Sequence, residues 1–232
     1  MRLNTIPFPP AVALGPSDRL ISPWTADNTR PQRLGCNTES GPVNFDGVFL
    51  DMYGTLTTGD RAAVENVCTQ IVAQTGVPLT PAELAITWGE RFFQAMDSAN
   101  GDGFLTLLEL EARTLRQTMG ELGVTLDPYP HVSQLAAYWQ DPPLQPEVPD
   151  FLAAFPLPIC IVSNADRDDI HAALGRHGIR VAAVVTSEDA CSYKPHPRIF
   201  ELALERTGWR RHRVLHAGDS LHSDVGGARA AG

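Results

Sequence analysis

The sequence predicts an α/β fold, a doubly wound parallel sheet with an all-helical cap domain inserted after its first strand. Three observations carry that prediction. Four short apolar runs each stop on a polar residue or a turn, amphipathic segments separate the last three of them, and the block 60–145 breaks this alternation with helical periodicity throughout. The core is therefore assigned to residues 44–59 and 146–232, and the cap to 60–145. Residues 1–43 hold many Pro, Asn, Ser and Thr with no sustained period, and they read as an extended or disordered leader.

Taken in order, Gly47-Val-Phe-Leu-Asp51 is an apolar run that ends on a carboxylate and meets the turn Tyr53-Gly54-Thr55. Helices are expected over 62–74, 81–96, 107–119 and 131–140. Thr80, Pro81 and Glu83 form an N-terminal signature for the second, a capping residue followed by Pro and by a Glu three places on. On that helix Trp88, Phe92, Phe93 and Met96 read as helix-to-helix packing. The stretch Ser98 to Glu109 has the spacing of a calcium-binding EF-hand loop, but Ser98 stands at the first ligand place and no second loop follows, so it reads as a Gly-rich turn. Asp141-Pro-Pro-Leu-Gln-Pro146 is the return linker.

Strands then follow over 159–162, 181–185 and 214–217, with helices over 167–177 and 197–207. Continuous apolar strands of this kind belong to parallel sheets covered on both faces and joined by right-handed crossovers. In such sheets ligands bind beyond the carboxyl ends of the strands, where Asp51, Ser163, Asn164 and Asp219 fall.

A formal charge of -9 over 232 residues opposes nonspecific binding to nucleic acid or to an anionic membrane. A small anionic substrate then needs local positive charge. Cys36, Cys68, Cys160 and Cys191 are scattered, which suggests neither a zinc cluster nor a disulfide framework but reduced thiols. No apolar run approaches about 18 residues and the first 20 lack the order of a secretory signal, so a cytoplasmic protein is expected. The sequence carries no signature of oligomeric state.

The chemistry-bearing residues sit at strand ends. Asp51 stands where a nucleophile belongs. Ser163 and Asn164 are placed to donate hydrogen bonds to a bound anion, and Lys194, fixed by the following proline, supplies positive charge. Asp219 and Asp224 add carboxylates beside Asp51, and acids that close repel unless a cation is present, with hard oxygen ligands selecting Mg²⁺. His216 and His222 flank this loop, and packing or surface roles are expected for both, since Mg²⁺ prefers oxygen.

Asp51-Met-Tyr-Gly-Thr-Leu56, Val162-Ser-Asn164, Lys194-Pro195 and Gly218-Asp219 to Asp224 together resemble the four ordered motifs of the haloacid dehalogenase superfamily, over residues 45–232. The resemblance implies a Rossmann-like core in which Asp51 forms a covalent aspartyl intermediate. It implies that Thr55 lies at the nucleophile loop, that Ser163 and Lys194 hold the transferring group, and that Asp51, Asp219 and the Tyr53 backbone carbonyl bind Mg²⁺, with Asp224 a further carboxylate on the metal side.

Two departures divide the functional reading. Phosphatases of the superfamily carry a second aspartate two places after the nucleophile, and this chain has Tyr53, as 2-haloacid dehalogenases do. Those dehalogenases need no metal and usually lack the Gly-Asp pair that Gly218-Asp219 supplies, and their cap arginine has no in-register match beside Trp88, where Arg91 is displaced. The motifs therefore rank a Mg²⁺-dependent phosphatase acting on a small phosphorylated metabolite first. A metal-independent 2-haloacid dehalogenase comes second, and a binding or regulatory protein with weakened turnover third. Relatives usually continue past Gly232 into another strand, so the sequence also leads one to expect an exposed sheet edge.

Overall fold

The computed structural model describes residues 44–232, and the expected leader over 1–43 lies outside the described residues. Four parallel strands, β1 (Gly47–Leu50), β2 (Ile159–Ser163), β3 (Ala183–Thr186) and β4 (Val214–Ala217), form one sheet in the order β3-β2-β1-β4. Val48 pairs with Ile159 and with Leu215, and Ile161 pairs with Val184. Successive side chains of a strand point to opposite faces, so each apolar run feeds two cores. Val48, Leu50, Ile159 and Ile161 pack on one face, against Ile170, Ala173 and Leu174 of α6 (Arg167–Arg176). Phe49, Cys160 and Val162 pack on the other, against Ile199, Phe200 and Ala203 of α8 (Arg198–Thr207) and Ala231 of α9 (Gly227–Ala231). β4 is an edge strand whose Leu215 is half exposed.

Between β1 and β2 lie α1 (Asp60–Thr75), α2 (Pro81–Ser98), α3 (Leu107–Glu121), α4 (Tyr129–Trp139) and the short α5 (Val148–Ala154). Helices α1 to α4 surround an apolar cluster of their own that includes Ile71, Leu84, Trp88, Leu115, Met119 and Leu135. Thr80 and Glu83 close a full capping box on α2, and Thr106 and Glu109 close another on α3. Trp88 and Met96 are buried, whereas Phe93, expected to pack, is 46 % exposed. The chain leaves and re-enters the sheet layer side by side: Thr57 bridges Leu144, and the Thr58 and Gln145 amides donate to Pro143 O and Leu56 O.

The observed elements differ from expectation mostly at ends. β3 runs 183–186 where 181–185 was expected, because Thr186 closes a capping box with Asp189 and turns the chain into the four-residue helix α7 (Ser187–Ala190). Neither α7 nor α5 is anticipated by periodicity, both being too short to show one.

Candidate active site

Asp51 follows β1 directly, Ser163 ends β2, Lys194 lies between α7 and α8, and Asp219 and Asp224 follow β4. The parallel sheet brings these together at its carboxyl edge. Lys194 Nζ donates to Asp51 Oδ1 and to Asp224 Oδ1, each at 2.7 Å, and to Val162 O at 3.0 Å, so its three protons have three acceptors. Ser163 Oγ donates to the same Asp51 Oδ1 at 2.8 Å. Asp51 Oδ2 receives only a longer bond, from Thr55 Oγ1 at 3.3 Å, which leaves it the oxygen free to attack. Asp219 Oδ1, also 3.3 Å from Thr55 Oγ1, is the alternative acceptor for that single proton, and Thr55 Oγ1 accepts from the Asp219 amide at 3.1 Å.

Lys194 is the only lysine of the chain, every other basic residue apart from histidine being arginine. It is 2 % exposed. A compact ammonium with three rotatable donors fits this three-acceptor socket, and a planar guanidinium does not. Burial pulls its pKa down, but the charges of Asp51 and Asp224 outweigh that and raise it. Burial likewise pushes Asp224 up, yet the hydrogen bond from His216 and the Lys194 charge hold it well below the usual carboxylate range. Asp219 is raised, by burial first and then by the Asp51 charge.

Two glycines permit this closeness. A side chain on Gly218 would overlap the carboxylate of Asp224. Gly54, with φ 80°, takes a left-handed turn under Asp219, where a Cβ would come within 2.8 Å of Oδ2.

Some expected roles need correction. Asn164 was expected to bind an anion, but its amide is used on the Lys194 backbone, accepting from the Lys194 amide at 2.7 Å and donating to Lys194 O at 3.1 Å. His216 packs as expected, its ring edge-on to Phe200 with centroids 5.0 Å apart and its side chain 3 % exposed, but it has a further role, since Nε2 contacts Asp224 Oδ1 at 2.8 Å. His222 is exposed, as expected, and pairs with Asp97 at 3.0 Å. Tyr53 turns its hydroxyl away from the nucleophile to donate to Trp139 O at 2.8 Å. Trp88 belongs to the helical core and donates to Thr114, and Arg91 pairs with Glu121, about 20 Å along α3 from Leu107, the end that Asp166 binds.

Asp166 was missed by sequence reasoning. It stands at the N-cap of α6, but its side chain makes no bond to that helix and accepts instead from the Leu107 and Leu108 amides of α3, at 2.6 and 3.0 Å. Only the fold could reveal that pairing.

The Asp51, Asp219 and Asp224 oxygens lie within 4.8 Å of one another, a donor set of the hard type that suits a divalent cation. Both Asp224 oxygens are already hydrogen-bonded, Oδ1 to Lys194 and His216 and Oδ2 to the Ser220 amide. Asp51 Oδ2 and Asp219 are therefore the carboxylates best placed to hold one. No helix among the described residues is long and apolar enough to cross a membrane.

Comparison with known proteins bears on this site. An (S)-2-haloacid dehalogenase of Pseudomonas fluorescens is 26 % identical over 180 residues, 74 % of this chain and 75 % of the relative. Among solved structures, L-2-haloacid dehalogenase from Xanthobacter autotrophicus superposes with a TM-score of 0.66 at 24 % identity, covering 81 % of this chain and 75 % of that one. The HAD-hydrolase YfnB from Bacillus subtilis, bound to magnesium, superposes with a TM-score of 0.65 at 20 % identity, covering 82 % and 86 %. The family model described as haloacid dehalogenase-like hydrolase matches residues 45–232, and with the four motifs gathered at one sheet edge the chain belongs to that hydrolase family.

Proposed function

We propose that the chain displaces halide from a short 2-haloacid through an ester on Asp51. The observation that carries this reading is the environment of Tyr53. It stands where a phosphatase of the superfamily holds its proton donor, yet its hydroxyl is bound to Trp139 O, and burial with the charges of Asp169, Asp60 and Asp51 drives its pKa far above 10.0. Tyr53 thus offers no proton to a leaving group, and halide needs none. The dehalogenase relatives support the same reading and reverse the order that the motifs suggest.

In this scheme Asp51 Oδ2 attacks the halogen-bearing carbon, and the carbon–halogen bond breaks with its electron pair leaving as halide. Lys194 and Ser163 fix Oδ1 and so aim the other oxygen. Water then adds to the ester carbonyl of Asp51, the hydroxyacid departs, and the carboxylate is restored. Each turnover consumes one water and releases one halide and one proton. Asp219, solvent-facing and raised in pKa beside the nucleophile, takes the proton of that water.

A second reading, a Mg²⁺-dependent phosphatase, is favoured by one observation, the approach of Asp219 to Asp51. Asp51 Oδ2, Asp219 and the Tyr53 carbonyl would hold the ion, which neutralises phosphoryl oxygens when bound. The magnesium-bound neighbour supports that fit. The deciding experiment measures halide release from 2-chloropropionate and phosphate release from p-nitrophenyl phosphate, each with Mg²⁺ and with chelator. Chelator-insensitive halide release is expected. Phosphate release that needs Mg²⁺, with no halide release, would establish the second reading.

A further inference from the structure

The turn between α2 and α3 is bound to the segment that carries Lys194. Asn100 Oδ1 accepts from Ser192 Oγ at 2.7 Å and from the Tyr193 amide at 2.9 Å, and the Gly101 amide donates to Cys191 O at 2.9 Å. The Tyr193 hydroxyl donates to Leu105 O at 2.9 Å, and its ring stacks on Phe104 with centroids 5.2 Å apart. Residues Cys191 to Lys194 thus hang between two asparagines, Asn100 from the helical insertion and Asn164 from the end of β2. The same segment begins in an unfavourable conformation, since Cys191 has φ 46°, which a residue with a Cβ adopts only where its surroundings hold it.

This arrangement also explains what the EF-hand-like spacing encodes. Ser98 Oγ donates to Ala95 O, Glu109 closes the α3 capping box, and Asn100 turns its oxygen onto the catalytic segment, so the residues spaced like ligands point to separate tasks.

We propose that Asn100 is a positioning residue for the hydrolase reaction: by fixing the backbone of Ser192 and Tyr193 it sets where Lys194 Nζ meets Asp51. Lys194 bonds Asp51, Asp224 and Val162 O at once, so a backbone shift that its side-chain torsions do not take up lengthens at least one of the three. Seating of the helical insertion is thereby coupled to the geometry of the nucleophile. The inference rests on Asp51 being the reacting group, whichever leaving group it displaces.

The test compares Asn100→Ala with Asn100→Asp, which keeps an oxygen acceptor for the same two donors. Because the chain has one lysine, protein labelled with ¹⁵N at lysine Nζ gives a single side-chain resonance, readable without substrate. Asn100→Ala should move that resonance and lower kcat about 10- to 100-fold with KM within about threefold, since misplacement of about 1 Å costs that much. Asn100→Asp should leave both close to wild type. A resonance in Asn100→Ala that superimposes on wild type overturns the proposal, as does an equal loss in both variants. If wild type turns over neither 2-chloropropionate nor p-nitrophenyl phosphate, the functional reading fails while the resonance still decides the positioning claim. Should Asn100→Ala not fold, Ser192→Ala removes one of the two donors and is read the same way, with a smaller displacement expected and none overturning the proposal.

Discussion

Two buried carboxylates of this molecule, Asp224 at the sheet edge and Glu111 between α3 and α4, are 1 % and 5 % exposed and have opposite electrostatic fates. Asp224 accepts from Lys194 and His216 and is held well below the usual carboxylate range. Glu111 has the Trp139 indole as its donor, at 3.2 Å, lies near the charges of Asp166 and Asp169, and is pushed up to about 8, mainly by burial. Burial alone therefore does not decide ionisation here; the presence of a cation does. Asp224 stays below the usual carboxylate range because His216 and the buried Lys194 both bond it.

The largest test of that comparison is Lys194→Met. Removing the cation leaves Asp51 and Asp224 buried without compensation, and folding stability should fall by about 3–5 kcal/mol together with loss of turnover. Urea unfolding at neutral pH measures it, and a change below about 1 kcal/mol would break the comparison.

The helical side makes a pH prediction. Glu111 is raised from 4.5 to about 8, so between those values the folded state binds more protons than the unfolded chain. Its contribution is complete below the unfolded value and is lost as pH rises through the folded one, at a slope of up to about 1.4 kcal/mol per pH unit. Glu111→Gln, which still accepts from Trp139, should flatten that decline. Asp224 acts with the opposite sign, its contribution being present above 3.8 and lost as pH falls.

Ser163→Ala sharpens the comparison by removing a neutral donor from Asp51 Oδ1 while leaving Lys194 in place. A loss of about 10- to 100-fold in kcat/KM is expected, the worth of one hydrogen bond to a charged group. The smallest effect belongs to Thr80→Ala, which opens the α2 capping box far from either acid and should cost about 1 kcal/mol in thermal unfolding without changing kcat.

Much of this fold was legible because apolar runs and capping signals are local. The strands over Gly47–Leu50 and Val214–Ala217 and the α2 start at Thr80 and Pro81 follow from neighbouring residues alone. Asp51 and Ser163 were legible because strand ends of a parallel sheet share one edge, and Lys194 because it is followed by proline in the segment after β3. The partnerships that fix them were not. Asp166 reaching α3, Asn100 reaching Ser192 and Asn164 clamping the Lys194 backbone join residues 30 to 92 positions apart, and nothing in their local sequence distinguishes them from caps and turns. The motifs rank phosphatase above dehalogenase by weighting Gly218-Asp219 over Tyr53, whereas the dehalogenase relatives and the Tyr53 hydroxyl bound to Trp139 O favour the other order.

The central claim is that Asp51 forms an ester with the carbon of a haloacid, and isotope transfer tests it directly. Enzyme in excess over 2-chloropropionate is allowed a single turnover in H₂¹⁸O, and product and the peptide containing Asp51 are weighed by mass spectrometry. Attack of water on the ester carbonyl predicts ¹⁸O in Asp51 and none in the first lactate released. Labelled lactate with unlabelled Asp51 would mean that water attacks the substrate itself, and would contradict the account.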